Sequence, residues 1–118
     1  MDADLHCHTT ASDGDLTPRE LVAYAAEVGL RAVAVTDHDT AAGVAEALAA
    51  GKDFGVEVVA GIEAKAQFEG VGLELLGFFI DAGSDAAREI EDDLRRRRLQ
   101  RVERMVERLQ KQGYRITV

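Results

Sequence analysis

The chain has 118 residues, which suits one small domain, and its 47% hydrophobic composition makes a disordered chain unexpected. Its formal net charge of −8 opposes loose, sequence-independent attraction to nucleic acid or to anionic membranes, because both need clustered cations. We find no export signal and no apolar run near the roughly 20 residues of a membrane span. Cys7 is the only cysteine, so no internal disulfide is possible and a reducing, cytoplasmic setting is expected.

The first half of the sequence alternates short apolar runs with helical segments. Strands are predicted at residues 3–8, 31–35 and 56–60. A capping box over residues 17–20, with Pro18 at the first helical position, predicts a helix that ends near Gly29. A second helix is predicted after Thr40, which can serve as its cap. Helices between short apolar strands indicate βαβ units and a parallel sheet, so the expected fold class is α/β.

The pattern changes after residue 63. Residues 64–69 and 73–80 flank a Gly-Val-Gly connection, which predicts a β-hairpin. Ser84 is the predicted cap of a long helix that ends near Gly113, and residues 116–118 read as the beginning of another strand. A terminal strand without a partner suggests that residues 1–118 are the front portion of a larger domain.

Histidine and carboxylate side chains fall at the carboxyl ends of the predicted strands. His6 and His8 are two apart on the first strand and point to the same side, whereas Cys7 points to the other side as a small core residue. The other candidates come from the loop after the first strand and from the ends of the second and third strands: Asp13, Asp37, His38, Asp39 and Glu63. Strand ends of parallel α/β folds converge on one face, and this mixture of donors is typical of Zn²⁺, Mn²⁺ or Fe²⁺ sites. The alternative for Asp37 and Asp39 is that they cap helices and turns.

Five short motifs carry a resemblance to a known family. They are residues 4–9 (DLHCHT), 12–14 (SDG), 17–18 (TP), 36–39 (TDHD) and 61–63 (GIE). Together they resemble the leading motifs of the PHP superfamily (polymerase and histidinol phosphatase), and most closely its metal-dependent phosphoesterases. The resemblance implies the amino-terminal portion of a distorted (β/α)7 barrel, with parallel strands, a hairpin and a long helix. It also implies two or three divalent metal ions.

By this resemblance, specific residues take specific roles. The implied metal ligands are His6, His8, Asp13, His38 and Glu63. Asp37 and Asp39 would orient the ligands or position water. The implied reaction is hydrolysis of phosphate esters, of nucleotides or short oligonucleotides, by a metal-activated water.

The sequence departs from the family pattern in two places. Glu74 stands where the family usually shows a histidine ligand, in the stretch Leu-Glu-Leu-Leu-Gly. Glu74 either ligates through oxygen, which favours harder metals such as Mn²⁺, or marks an altered metal site. The family's later ligands are also missing, which implies that residues 1–118 are an amino-terminal part whose activity alone is absent or feeble.

Arg98 lies within the apolar stripe of the predicted long helix. A charge in that position needs a partner or a ligand, and we expect Arg98 to bind substrate phosphate.

Two further interpretations stay open beside the phosphoesterase. One is a non-catalytic, metal-stabilised domain of the type that accompanies polymerases, or an inactive fragment. The other is self-association that completes the sheet.

Overall fold

The computed structural model describes residues 2–118. Within these residues it shows one four-stranded sheet and three helices. The elements are β1 (Ala3–Cys7), α1 (Pro18–Glu27), β2 (Ala32–Val35), α2 (Val44–Phe54), β3 (Glu57–Phe68), β4 (Val71–Phe78) and α3 (Asp85–Lys111). The strand order is β1-β2-β3-β4, with the first three parallel and β4 antiparallel to β3. The predicted α/β fold, with its parallel strands, hairpin and long helix, is therefore confirmed.

The core lies between the parallel strands and the first two helices. It consists of small aliphatic side chains: Val22, Ala25, Val33, Val35, Ala47, Ala50 and Val56. Helix α1 begins as predicted, because the Glu20 amide donates to the Thr17 hydroxyl while the Thr17 amide donates to the Glu20 carboxylate. This start directs α1 back across the sheet and leaves the loop before it at the carboxyl end of β1.

The predicted cap of the second helix is wrong. Helix α2 begins at Val44, and its N-cap residue is Gly43, which makes no side-chain hydrogen bond. The Thr40 hydroxyl instead accepts from the Ala42 amide within a local turn. Hydroxyl side chains form such turns as readily as they cap helices. The sequence pattern alone therefore does not distinguish a turn at Thr40 from a helix cap.

The predicted break after the third strand is also wrong, because β3 continues to Phe68 and includes the first arm of the hairpin. Gly61 follows the last residue of the predicted third strand, but it is a point of close packing inside β3. A Cβ atom there would lie 2.8 Å from Thr36 Cγ2 and 2.9 Å from the Gly77 carbonyl oxygen. Glycine is required by this close approach and not by a turn.

Helix α3 begins at the predicted cap, where the Ser84 hydroxyl accepts from the Ala87 amide, and it ends at Lys111. Leu94 is its only buried residue, so most of the predicted apolar stripe is exposed. The strand predicted at residues 116–118 does not form. The Ile116 carbonyl instead accepts from the Gln110 side chain at 2.7 Å, which folds the end of the chain back on α3. None of the helices described is both long and apolar enough to cross a membrane.

Candidate metal centre

His6 and His8 leave the carboxyl end of β1 on the same side and meet one carboxylate. Glu63 Oε2 lies 3.2 Å from His6 Nε2 and 2.9 Å from His8 Nε2. Cys7, between them, packs against the hydrophobic core. The strand alternation predicted from the sequence therefore separates a polar face from an apolar face at this end of β1.

The other two predicted ligands close the opposite side of the centre. His38 Nδ1 lies 3.2 Å from Glu63 Oε2, and His38 Nε2 lies 3.5 Å from Asp13 Oδ2. Asp13 Oδ1 also lies 2.8 Å from His8 Nδ1. A single parallel bridge between His38 and Glu63 sets the distance between these strand ends. All five predicted ligand residues are therefore brought together, although their role as ligands stays a prediction.

The chemistry of the cluster fits a divalent cation. Three of its buried atoms have no hydrogen-bond partner: His8 Nε2, His38 Nδ1 and Glu63 Oε2. Buried polar atoms normally have hydrogen-bond partners. Three unpaired nitrogen and oxygen atoms close together therefore indicate a site for a further group, such as a cation. One donor atom each from His6, His8 and Glu63 lies within 4.8 Å of the other two, and the same holds for His8, Asp13 and His38. Imidazole nitrogens mixed with carboxylate oxygens suit Zn²⁺, Mn²⁺ and Fe²⁺.

The two carboxylates of the centre are held in their charged form. Burial alone would raise the pKa of Glu63, but the contact with the His6 imidazole and the charges of the three histidines outweigh burial and lower that pKa. The hydrogen bond from His8 is the main cause that lowers the pKa of Asp13. Both groups are therefore ready to accept a cation without first losing a proton.

Asp37 fastens the loop that carries Asp13. Its carboxylate is buried and accepts from the Thr9 amide at 2.7 Å, from the Thr9 hydroxyl at 2.8 Å and from the Ser12 hydroxyl at 2.6 Å. Gly14 lets this loop turn tightly, since a Cβ atom there would lie 2.3 Å from the His8 carbonyl oxygen. Asp37 thus positions the loop. The contributions of Thr9 and Ser12 were missed from the sequence, although both stand inside the conspicuous motifs.

Asp39 joins the end of β2 to β3 and to α3. Its Oδ1 accepts from the Lys65 amide at 3.0 Å, and its Oδ2 accepts from Arg98 Nη2 at 2.8 Å. The partner that Arg98 requires is therefore Asp39, and whether Arg98 also binds phosphate stays a prediction. Beside this pair, a cleft of about 410 Å³ between α3 and the hairpin is lined by several cations: Lys65, Arg97, Arg98, Arg101 and Arg104. Lys65 is two residues after Glu63, so side-chain alternation along a strand could have predicted that both lie on the same face.

A sequence model described as the PHP domain matches residues 4–117. The chain belongs to the PHP domain family. It is 47% identical over 78 residues to a 5'-3' exoribonuclease of Haemophilus influenzae, covering 66% of this chain and 28% of that protein. It is 37% identical over 120 residues to the phosphoribosyl 1,2-cyclic phosphate 1,2-diphosphodiesterase of Eggerthella lenta, covering 100% of this chain and 46% of that one.

A solved structure from Bifidobacterium adolescentis, provisionally assigned as a metal-dependent phosphoesterase, superimposes with a TM-score of 0.84 and 42% identity. It matches 98% of this chain, which corresponds to 40% of the solved chain. This PHP chain thus spans less than half the length of each of these similar proteins.

Proposed function

We propose that this chain provides the metal-binding part of a phosphoesterase that hydrolyses phosphate esters of nucleotides or short oligonucleotides. The observation that carries the proposal is the convergence of the three imidazoles with Asp13 and Glu63, including three buried donor atoms that lack hydrogen-bond partners. Similar proteins named as an exoribonuclease and as a cyclic phosphate diphosphodiesterase support the same class of reaction.

Each part of the centre has a role in this proposal. His6, His8 and Glu63 would hold one divalent cation, and Asp13 with His38 would share in holding another. When bound, these cations would stabilise negative charge on phosphoryl oxygens and lower the pKa of a water molecule toward neutrality. Asp37 holds the loop of Asp13 in place through its hydrogen bonds to Thr9 and Ser12.

The cationic cleft beside the centre supports a phosphate-bearing substrate. The whole chain carries a charge of −8, yet Lys65, Arg98, Arg101 and Arg104 line one cleft together with Asp39. Guanidinium groups bind phosphate oxygens through paired, charge-assisted hydrogen bonds. Asp39 holds the Arg98 guanidinium at the edge of the centre, where it can contact a phosphate of the substrate.

The reaction is tested under single-turnover conditions, with the 118-residue protein in excess over nitrophenyl phosphate or a 5'-phosphorylated dinucleotide. We expect slow product formation that requires Mn²⁺, stops when a chelator is added and is lost in His8→Ala. Product formation that survives both the chelator and His8→Ala would contradict the proposal. Cation binding without any turnover is the result that a non-catalytic PHP domain predicts.

The role of Arg98 is tested with Arg98→Met. We expect KM for the dinucleotide to rise at least about tenfold, because a charge-assisted hydrogen bond to phosphate is lost. The matched control is Arg95→Met, an exposed arginine on the same helix, which should leave KM unchanged. Urea unfolding of both variants separates this effect from a loosened α3. An unchanged KM for Arg98→Met removes Arg98 from the substrate contacts.

A further inference from the structure

The Glu91 side chain of α3 reaches the segment that follows His38 at the end of β2. Its carboxylate accepts from the Ala41 amide, and the Thr40 hydroxyl donates to the same carboxylate oxygen at 3.4 Å. Ala41 is buried, with 8% of its surface exposed, and Glu91 is itself partly buried. Glu91 thus supplies the acceptor that the backbone amide of a buried residue requires.

Glu91 acts from the same face of α3 as Leu94 and Arg98. The three residues are spaced i, i+3 and i+7, which places them on one side of a helix. Leu94 is the buried residue of α3, and Arg98 Nη2 donates to Asp39 Oδ2 at 2.8 Å. This face of α3 therefore holds the segment after His38 at both of its ends.

The backbone of this segment turns sharply next to His38. Asp39 has a φ angle of 56°, in the left-handed region that is uncommon for residues other than glycine. Such a conformation persists where neighbouring contacts impose it. On the side away from α3, the Asp39 amide donates to the Glu63 carbonyl oxygen at 2.9 Å. The turn is thus held between β3 and α3, so the loss of a contact on either side is transmitted to His38.

His38 is shared between two groups of candidate ligands. One group contains His8 and Asp13, and the other contains Glu63 and Glu74. His38 Nδ1 is buried without a hydrogen-bond partner, so no hydrogen bond at that atom fixes the ring. The direction of the imidazole therefore depends on the backbone that carries it.

We propose that Glu91 is a positioning residue of the metal centre. Its carboxylate anchors the Ala41 amide and the Thr40 hydroxyl, and the turn they belong to sets the direction in which His38 presents its ring nitrogens. His6 is carried by β1 and takes no part in this turn. Loss of the Glu91 carboxylate should therefore weaken cation binding at His38 and spare His6. This inference rests on the proposed metal centre.

The experiment follows each histidine ring separately during titration with Zn²⁺, by NMR of the imidazole nitrogens. The chain has 3 histidines, so each ring signal can be assigned by single substitution. We expect Glu91→Ala to weaken the Zn²⁺ response of His38 by about tenfold, the lower end of the effect of groups that orient metal ligands. The response of His6 should match that of the wild type. A general loosening of the fold would weaken the response of both rings alike.

Two further variants and a control sharpen the result. Glu91→Gln keeps a carbonyl oxygen that can accept from the Ala41 amide, so it should restore the response of His38. Glu91→Asp withdraws the carboxylate by one methylene group and should reproduce the selective loss, which covers the case in which Glu91→Ala misfolds. The matched control is Glu89→Ala, an exposed glutamate on the same helix, which should titrate as the wild type does.

The outcomes separate this inference from the proposed function. If the wild-type rings respond to Zn²⁺ while Glu91→Ala or Glu91→Asp folds and titrates as the wild type does, Glu91 does not position His38, although the metal centre stands. Equal weakening at all three rings, or a Glu91→Gln variant that behaves like Glu91→Ala, would also overturn the inference. If no ring of the wild type responds to Zn²⁺, the proposed function itself fails.

Discussion

Residues 2–63 and residues 64–118 of this PHP chain differ in how much of their apolar surface is buried. The buried aliphatic side chains of the core all come from the first region, and Leu94 is the one buried apolar side chain of the second. The second region instead exposes large apolar groups on β4 and α3, such as Leu73, Leu75, Phe78 and Met105. Exposed apolar area of this kind usually marks a surface that contacts another part of a protein. The first region thus buries far more of its apolar side chains in a core than the second region does.

The two regions also contribute different polar and charged side chains to the candidate site. All five predicted metal ligands, together with Asp37, belong to the self-packed region, where a buried hydrogen-bond network fixes their loops. The second region brings Lys65, Glu74 and Arg98 to the edge of the centre, and α3 is joined to the first region by the Arg98–Asp39 pair and by Glu91, whose carboxylate accepts from the Ala41 amide. The predicted metal ligands are therefore supported by a buried hydrogen-bond network, whereas the cationic edge depends on partly exposed ion pairs. Self-association that completes the sheet stays a prediction.

The largest expected effect is a difference in stability loss when one carboxylate is added to each region in turn. Val35→Asp places a charge in the core and should cost more than about 4 kcal/mol of unfolding free energy, which leaves the chain largely unfolded. Leu75→Asp adds the same group on β4, where the side chain is 55% exposed, and should change stability by less than about 0.5 kcal/mol. Urea unfolding followed by circular dichroism measures both. Equal destabilisation by the two variants would show that the second region is packed as tightly as the first.

A smaller effect is expected from the network that supports the centre. Asp37→Asn keeps an oxygen that can accept from the Thr9 amide and the Ser12 hydroxyl, but it turns an NH2 group toward the Thr9 hydroxyl, and it should cost about 1–3 kcal/mol of unfolding free energy. Because the loop of Asp13 then loosens, cation affinity should fall by about 10- to 100-fold. The matched control is Asp53→Asn, which breaks only the exposed pair with Arg19 and should cost about 0–1 kcal/mol. Unfolding and calorimetric titration with Mn²⁺ check both; unchanged affinity in Asp37→Asn would assign the loop to other contacts.

The features that were predictable from the sequence are those set by local periodicity. The side-by-side placement of His6 and His8, with Cys7 turned to the core, follows from strand alternation alone. The caps at Thr17 and Ser84 follow from the hydrogen bonds that a hydroxyl makes with its own helix start. The convergence of the strand ends required one more step, the rule that parallel strands present their carboxyl ends on one side.

The features that were not predictable depend on contacts between distant residues. Gly61 lies inside a continuous strand because Thr36 and Gly77 pack against it, and neither neighbour is evident from the residues around Gly61. Arg98 meets Asp39, which is 59 positions away, so the sequence showed that a partner was needed without showing which one. The Lys65–Glu74 pair depends on the register between β3 and β4, which is set along the whole hairpin and not by the residues next to either partner.

The smallest expected effect concerns Cys7, which belongs to the apolar face of the strand that carries His6 and His8. Burial, reinforced by the charge of Asp4, raises the pKa of the Cys7 thiol from 9.0 to about 12. The native thiol should therefore react with iodoacetamide at pH 8 much more slowly than the same thiol in urea, since only the thiolate reacts. The raised pKa also means that its contribution to stability is complete below about pH 9 and is lost as the pH rises toward 12. The Cys7→Ala variant lacks this loss and serves as the control in unfolding measurements. Alkylation as fast in the native chain as in urea would place Cys7 on the solvent side and would undo the division of β1 into a histidine face and a core face.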